Sequence, residues 1–268
     1  MTSIAPTSYQ DGGFSHRVPG EEARLHTLQR LWDPITKSAL ARLPVAPDWQ
    51  CAEIAAGTGS IARHLAELVP HGSVVATEVD TRFLRSQSGN LMVLHHDVRT
   101  DDFPGDSFDL IHARALLEHL PERNSVLARL ISWLRPGGWL VVESFDSSSG
   151  LASPHPPLTT VLGAMSTLMS EQVGSDFLIG RTLASQFSAA GLTDIDTEFA
   201  NVRVGDHGAG EQFLDSTLQQ LSPQLLERKL LTESDIIAWE TWMNHPASGD
   251  IAAMLCIAKG RRPPHPRV

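Results

Sequence analysis

Cysteine and lysine are scarce in this chain of 268 residues. Its two cysteines, Cys51 and Cys256, stand in apolar stretches far apart, so we interpret them as reduced core thiols rather than a disulfide framework. Lysine occurs only three times, and 21 basic residues (Lys and Arg) stand against 31 acidic ones, which gives a net charge of −10. The chain therefore lacks the clustered basic face that a phosphate backbone requires, and we expect no nucleic-acid partner.

Long uncharged apolar runs are missing as well. No such run reaches the length of a membrane-spanning helix, and residues 1–6 have neither a basic start nor an apolar core. We therefore expect a cytoplasmic protein without a membrane partner. Hydrophobic residues make up 41% of the chain. A single α/β domain of this size buries roughly three-quarters of its unfolded surface.

A glycine turn between a strand and a helix is the most informative motif. Residues 51–55 predict an apolar strand, Gly57 and Gly59 predict a turn, and a helical apolar pattern follows. Residues 74–76 predict a second strand, which ends on Glu78. Such a βαβ unit leaves a ligand-sized gap at the carboxyl ends of its strands, with an acid placed to accept hydrogen bonds from a ribose.

The ligand is ambiguous at this point, because residues 57–62 also fit the G-x-G-x-x-A pattern of dinucleotide-binding turns. An NAD(P)-dependent oxidoreductase is therefore one alternative. The rest of the first half predicts a third strand closing on Asp97, a fourth over 106–113 and a fifth over 139–143. Proline and glycine within 134–138 end the predicted helix between the fourth and fifth strands.

Six short segments, taken in order, carry a family resemblance: 53–59, Glu78, 97–98, 107–110, 117–120 and 134–138. They resemble the class I S-adenosylmethionine-dependent methyltransferases, in particular the small-molecule branch with the ubiquinone/menaquinone C-methyltransferases. The resemblance implies an α/β, Rossmann-like doubly wound sheet of seven strands, in the order 3-2-1-4-5-7-6 with the last strand antiparallel, and a helical lid. It also implies methyl transfer from S-adenosylmethionine to oxygen, nitrogen or carbon of a small organic acceptor, with secondary metabolism as one setting.

The resemblance also assigns cofactor contacts to individual residues. They are Glu53, Ala55, Gly57 and Gly59 around the methionine end, Glu78 at the ribose, Val79, Asp97 and Val98 at the adenine, and Ala113 and Arg114 at the sulfonium. The family usually has glycine where this chain has Ala55, and alanine is tolerated there if φ stays negative. The acids suit a cationic sulfonium better than a pyrophosphate, which prefers positive charge.

No residue is assigned to catalysis with the same specificity. His112, at the end of the fourth strand, is the best placed general base for a hydroxyl acceptor, and a strand histidine that faces the helical layer is an equal interpretation. We interpret His119 as structural. No metal site is predicted, because His95 and His96 are adjacent in a strand and point to opposite faces. A protein that keeps the cofactor without transferring methyl is a further alternative.

A single domain is expected over residues 1–268, with a small-molecule acceptor as partner and a homodimer left open. The expected core covers about 49–146, 181–200 and 250–260, and the expected lid covers 20–48, 150–180 and 201–245. Residues 1–20 are expected to form a mobile arm, and the tail 261–268 is expected to be disordered. Apolar residues within 158–173 predict a lid helix that packs on the sheet, with acceptor contact as the alternative.

Overall fold

The computed structural model describes residues 12–86, 89–245 and 248–264. Its centre is a sheet of seven strands in the order β3-β2-β1-β4-β5-β7-β6. The strands are β1 (Gln50–Ile54), β2 (Ser73–Glu78), β3 (Leu91–His95), β4 (Phe108–Arg114), β5 (Leu134–Asp146), β6 (Thr193–Val204) and β7 (Asp250–Arg261). Within the described residues, no helix is both long and apolar enough to span a membrane.

Strand direction places the functional edge of the sheet. The strands β1 to β5 pair in parallel, and β7 is antiparallel to both of its neighbours, β5 and β6. The predicted strand order and the antiparallel last strand are confirmed. Strand order reverses between β1 and β4, so the carboxyl ends of these strands leave a crevice between their outgoing connections.

Eight helices are described around the sheet: α1 (Glu21–Leu40), α2 (Ser60–Leu68), α3 (Arg123–Trp133), α4 (Ser148–Leu151), α5 (Pro156–Val173), α6 (Leu183–Ala189), α7 (Ala209–Glu227) and α8 (Glu233–Met243). Local signals explain several helix ends. Helix α5 begins with proline in its first turn and ends at Gly174, whose φ of 74° is left-handed. Helix α8 begins with a capping box between Thr232 and Asp235.

The apolar core has three parts. Helix α2 and the end of α1 cover one face of the sheet around Leu40 and Leu65, and α3 and α6 cover the other face around Leu130 and Phe187. The third part joins α1, α5, α7 and α8 above the carboxyl edge of the sheet. Helix α1 continues through Pro34, a residue type that usually breaks a helix, because fully buried residues on either side, Trp32 and Leu40, anchor the helix.

The N-terminal segment corrects one expectation. Residues 12–16 are buried rather than part of a mobile arm, while residues 1–11 lie outside the described residues. Gln220 Nε2 donates to the Gly13 carbonyl at 2.7 Å, and a Cβ atom on Gly13 would collide with Leu221. The missing side chain therefore lets this segment pack directly on α7, which composition alone does not reveal.

Two further boundaries differ from expectation. Arg261, placed in the expected tail, pairs with Trp139 and Thr193 at the end of β7. Strand β6 continues to Val204 and so enters the range expected for the lid. In each place backbone pairing or packing from a distant segment decides the outcome.

Candidate active site

A cleft opens at the carboxyl ends of β1, β2 and β4, under helices α1, α5 and α7. We call its sheet side the floor, which is lined by Glu53–Thr58, Thr77–Val79, His96–Arg99 and Arg114–Leu116. We call its helical side the roof, which is lined by Phe14, Arg24, Leu25, Leu28, His119, Phe145, Ser147, Leu162, Met165, Ser166, Met169, Phe177, Val202, Phe213, Leu214, Thr217, Leu221 and Ala253. The predicted βαβ unit therefore supplies one wall of a larger site.

The glycine turn of the floor has the backbone form that the motif requires. Gly57 and Gly59 have φ of 57° and 81°, a region that residues with a Cβ atom rarely adopt. Gly59 lies immediately before α2, and Gly57 lies in the cleft wall. The amide of Gly57 donates to Glu78 Oε2 at 3.0 Å. The turn is thereby tied to the end of the neighbouring strand.

Ala55 is the correction within this turn. Its φ is 58°, so the condition under which alanine was expected to be tolerated is not met. A left-handed backbone brings Cβ close to the following carbonyl oxygen and costs an L-residue about 1–2 kcal/mol. The glycine usual at this position carries no such cost. Ala55 therefore stores strain on the floor of the cleft.

Glu78 is buried at the end of β2, with 6% of its surface exposed. Its Oε2 accepts from Gly57 and its Oε1 accepts from the Val79 amide at 2.9 Å. Burial raises the pKa of this carboxyl, and the charge of His16 and the two amides oppose that rise. Each carboxylate oxygen keeps further acceptor capacity, so the group is fixed in place and still able to bind two hydroxyls.

Asp97 and Val98 follow β3 and lie in the same wall. Both oxygens of the Asp97 carboxylate accept from the Arg99 side chain at 2.7–3.2 Å. These hydrogen bonds hold the pKa of Asp97 below its ordinary value. Asp97, which was expected to accept a hydrogen bond from the adenine amino group, already accepts from Arg99. It would have to accept from both groups at once.

His112 is fully buried and does not line the cleft. Its Nδ1 lies 2.6 Å from Glu53 Oε2, and its Nε2 lies 3.2 Å from Glu143 Oε1. Burial by itself would lower the pKa of His112, but the two carboxylates outweigh it and raise the pKa to about 9. An imidazolium held between two acids cannot accept a proton near neutral pH, so His112 is not a general base.

Arg114 connects this buried group to helix α1. Its guanidinium donates to Asp33 Oδ1 at 2.9 Å and to Thr36 Oγ1 at 3.1 Å, and Thr36 donates onward to Glu143 Oε2 at 2.7 Å. Strand register places Arg114 opposite Glu143, just as it places Glu53 opposite His112. The network therefore holds α1 over the carboxyl edge of the sheet.

His119 lies on the roof in a fixed orientation. Its Nδ1 is 2.9 Å from Ser175 Oγ, and its ring meets Phe14 and Phe177 edge-on with centroids 5.9 and 5.6 Å away. Burial, together with the charges of Arg24 and Arg123, lowers the pKa of His119 to about 3. It is therefore an uncharged ring at neutral pH, consistent with the structural interpretation given above.

Eight of the ten predicted cofactor residues line the cleft: Glu53, Ala55, Gly57, Glu78, Val79, Asp97, Val98 and Arg114. Gly59 and Ala113 lie beside it instead. Among the described residues, no cluster of three or more His, Cys, Asp or Glu side chains could hold a metal ion. Sequence reasoning missed Phe14 and most of the roof, because no motif marks these residues.

Parts of the chain are similar in sequence to known methyltransferases. A family model described as "Methyltransferase domain" matches residues 52–140. Methyltransferase str2 of Strobilurus tenacellus is 33% identical over 142 residues, which are 52% of this chain and 51% of that protein. A ubiquinone/menaquinone biosynthesis C-methyltransferase of Ectopseudomonas mendocina is 28% identical over 129 residues, covering 44% of this chain and 49% of the other. The chain spans about half the length of the curated relatives it matches.

A solved structure extends the likeness to almost the whole chain. Phosphoethanolamine N-methyltransferase 2 of Haemonchus contortus, in complex with S-adenosylhomocysteine, superposes with a TM-score of 0.63 at 14% identity. The match covers 96% of this chain and 60% of that one. The fold is thus the class I methyltransferase fold, and the resemblance drawn from the sequence is confirmed. Residues 52–140 are the part of the chain that matches the methyltransferase domain family.

Proposed function

We propose that the protein binds S-adenosylmethionine on the floor of the cleft and transfers its methyl group to a small organic acceptor beneath the roof. The observation that supports this best is Glu78, a buried carboxylate fixed by two backbone amides at the end of β2. Such an acceptor binds vicinal ribose hydroxyls, and hydrogen bonds to a charged group contribute about 1.5–3 kcal/mol.

The chemistry of the floor fits the proposed cofactor. When bound, S-adenosylmethionine supplies an electrophilic methyl group on a cationic sulfonium. The floor offers Glu53 and Glu78 as buried acids and leaves Gly57 without a side chain where an adenosyl group has to approach the backbone. Ala113 and Gly59, expected in direct contact, would act through their neighbours Arg114 and Thr58.

The chain's own residues would mainly position the two reactants and surround them with apolar side chains. Helix α1 is held over the sheet by Asp33 and Thr36, and the roof places a largely apolar surface above the floor. Alignment of two reactants can lower a barrier by about 7–11 kcal/mol. Since His112 is buried and does not line the cleft, we propose that alignment, rather than this histidine, carries catalysis.

The two alternatives have less support. An NAD(P)-dependent oxidoreductase would need a pyrophosphate site, and the acids around the glycine turn disfavour one. A protein that retains the cofactor without methyl transfer has the same floor, so only a transfer assay distinguishes it. The cytoplasmic location and the homodimer stay predictions.

Calorimetric titration tests the cofactor assignment. We expect the wild-type protein to bind S-adenosylmethionine and not NAD(P). Glu78→Gln should weaken that binding by about 1.5–3 kcal/mol, because it removes the charged acceptor while keeping its shape. Glu67→Gln, on an acid of α2 whose side chain is 78% exposed, removes the same charge far from the turn and should change nothing.

Tight NAD(P) binding, or an unaltered affinity in Glu78→Gln, would contradict the assignment. Methyl transfer is tested separately with methyl-labelled cofactor and a panel of oxygen, nitrogen and carbon acceptors. Failure to transfer label to any of them, despite cofactor binding, would favour the cofactor-retaining alternative.

A further inference from the structure

The roof differs from the floor in the chemistry of its lining. Its surface is largely aromatic and aliphatic, with Leu28, Phe145, Leu162, Met165 and Phe213 each less than a tenth exposed. Thr217 also lines it, but its hydroxyl donates to the Phe213 carbonyl at 2.7 Å and is used within α7. A surface of this kind favours the burial of apolar area, at about 25 cal/mol per Å².

Arg24 brings a cation to this apolar wall. It is 6% exposed, and its guanidinium carbon lies 4.3 Å from the centre of the Phe14 ring and 5.9 Å from that of Phe213. Glu21, one helical turn earlier and fully buried, accepts from Arg24 Nε at 2.8 Å and from Nη2 at 2.7 Å. The cation that lines the cleft is therefore neutralised from behind.

Glu21 is itself held in place. Its Oε2 also accepts from Gln220 Nε2 at 2.6 Å, and the same amide donates to the Gly13 carbonyl. A bidentate arginine pair with a third donor has little freedom to turn towards a ligand. His119, the other ionisable side chain beside Phe14, is uncharged at neutral pH. The charges of Glu21 and Arg24 thus cancel, and His119 adds none to this wall.

We infer that the roof selects an uncharged, largely apolar acceptor, and that Glu21 sets this selectivity by neutralising Arg24. A carboxylate acceptor would have to draw Arg24 away and leave Glu21 buried without its counter-charge, which is strongly unfavourable. An ammonium acceptor would meet aromatic rings already faced by Arg24. That the bound molecule is a methyl acceptor rests on the proposed function, whereas the selectivity of the roof is a property of binding alone.

Binding of a matched pair of probes tests the inference without the cofactor. 2-Naphthol is uncharged at pH 7, and 2-naphthoate has the same ring system with a carboxylate. We expect the wild-type protein to bind 2-naphthol more tightly by about tenfold or more. Equal or tighter binding of the carboxylate would overturn the inference.

Two variants sharpen the test. Glu21→Gln frees the charge of Arg24, so the preference should shrink or reverse towards 2-naphthoate. In the double variant Glu21→Gln with Arg24→Met the wall is neutral again, so the preference for 2-naphthol should return. Glu67→Gln is the matched control for net charge and should keep the wild-type ratio.

The outcomes separate this inference from the proposed function. If S-adenosylmethionine fails to bind while 2-naphthol binds selectively, the proposed function is wrong and the selectivity of the roof stands. If the cofactor binds and the two probes bind equally, the proposed cofactor site stands and the selectivity of the roof is wrong. Should Glu21→Gln fail to fold by circular dichroism, the wild-type ratio and the double variant still decide.

Discussion

The two sides of the cleft handle charge in opposite ways. The floor gathers Glu53, Glu78 and Asp97 around a glycine turn and keeps a charged imidazolium, His112, beneath them. In the roof, by contrast, Arg24 forms a salt bridge with Glu21, and the rings of Phe14 and Phe213 lie against the guanidinium. This difference fits the proposal that the floor receives a polar, cationic molecule and the roof an uncharged one.

Gly57→Val should have the largest effect on this contrast. A β-branched side chain is strongly disfavoured at a φ of 57° and would stand where the backbone must approach the cofactor. We expect S-adenosylmethionine affinity to fall by more than about a hundredfold, while 2-naphthol binding to the roof is unaltered. Calorimetry with both ligands measures this.

Gly163→Val is the control, because a Cβ atom at Gly163 on α5 meets open space. It should leave both affinities as they are. A Gly57→Val protein that folds and still binds the cofactor normally would mean that the turn is not part of the floor.

The buried histidine predicts a pH dependence of stability. The pKa of His112 is raised to about 9 in the folded protein, so its ion pairs stabilise the fold fully below the unfolded pKa of about 6.5. That contribution is lost as the pH rises through about 9. We expect the free energy of unfolding, from urea titrations, to fall by about 3 kcal/mol across this window.

A second buried group titrates lower and has to be separated from His112. Burial raises the pKa of Glu118 to about 7, so stability also falls as the pH rises from about 4.5 through about 7. His119, whose pKa is lowered to about 3, adds stability as the pH rises from about 3 through about 6.5. The decline between about pH 7 and about pH 9 is therefore the part that belongs to His112. NMR of ¹⁵N-labelled histidine checks the assignment directly, and the absence of any ring that titrates near pH 9 would contradict it.

Ala55→Gly should have the smallest effect, and it has the opposite sign. Removing Cβ at a φ of 58° relieves strain, so we expect the protein to become more stable by about 1 kcal/mol. Thermal unfolding measures the change. Ala66→Gly, in the regular helix α2, is the matched control and should lower stability by about the same amount. A less stable Ala55→Gly protein would show that the strain is compensated elsewhere.

The floor could be predicted from sequence because its parts are local. The turn and Glu78 lie on consecutive elements, and the carboxyl ends of parallel strands necessarily share one edge of the sheet. The positive φ of Ala55 could not be read from sequence, because a position that is usually glycine keeps its backbone conformation when the residue changes. Of the two interpretations of His112, the geometry favours the structural one, since only strand register reveals that Glu143 lies behind it.

The roof could not be predicted in the same way. Phe213 lies far along the chain from Phe14 and Arg24, and none of the three carries a motif. Met165 and Met169 line the cleft, whereas Leu168 packs in the core behind them. The apolar residues of α5 therefore include both core residues and residues that could contact an acceptor. Tertiary packing decides which side chains of an amphipathic helix meet a ligand, and periodicity alone does not carry that information.

The packing of Gly13 against Leu221 has a consequence for kinetics. Phe14 and His16 line the cleft, and the segment over residues 12–16 is held on α7 by the hydrogen bond from Gln220 and by close contact at Gly13. A side chain at position 13 would meet Leu221 and push this segment away from α7. We therefore expect a methyl group at position 13 to shorten the occupancy of a bound molecule without altering a single group on the floor.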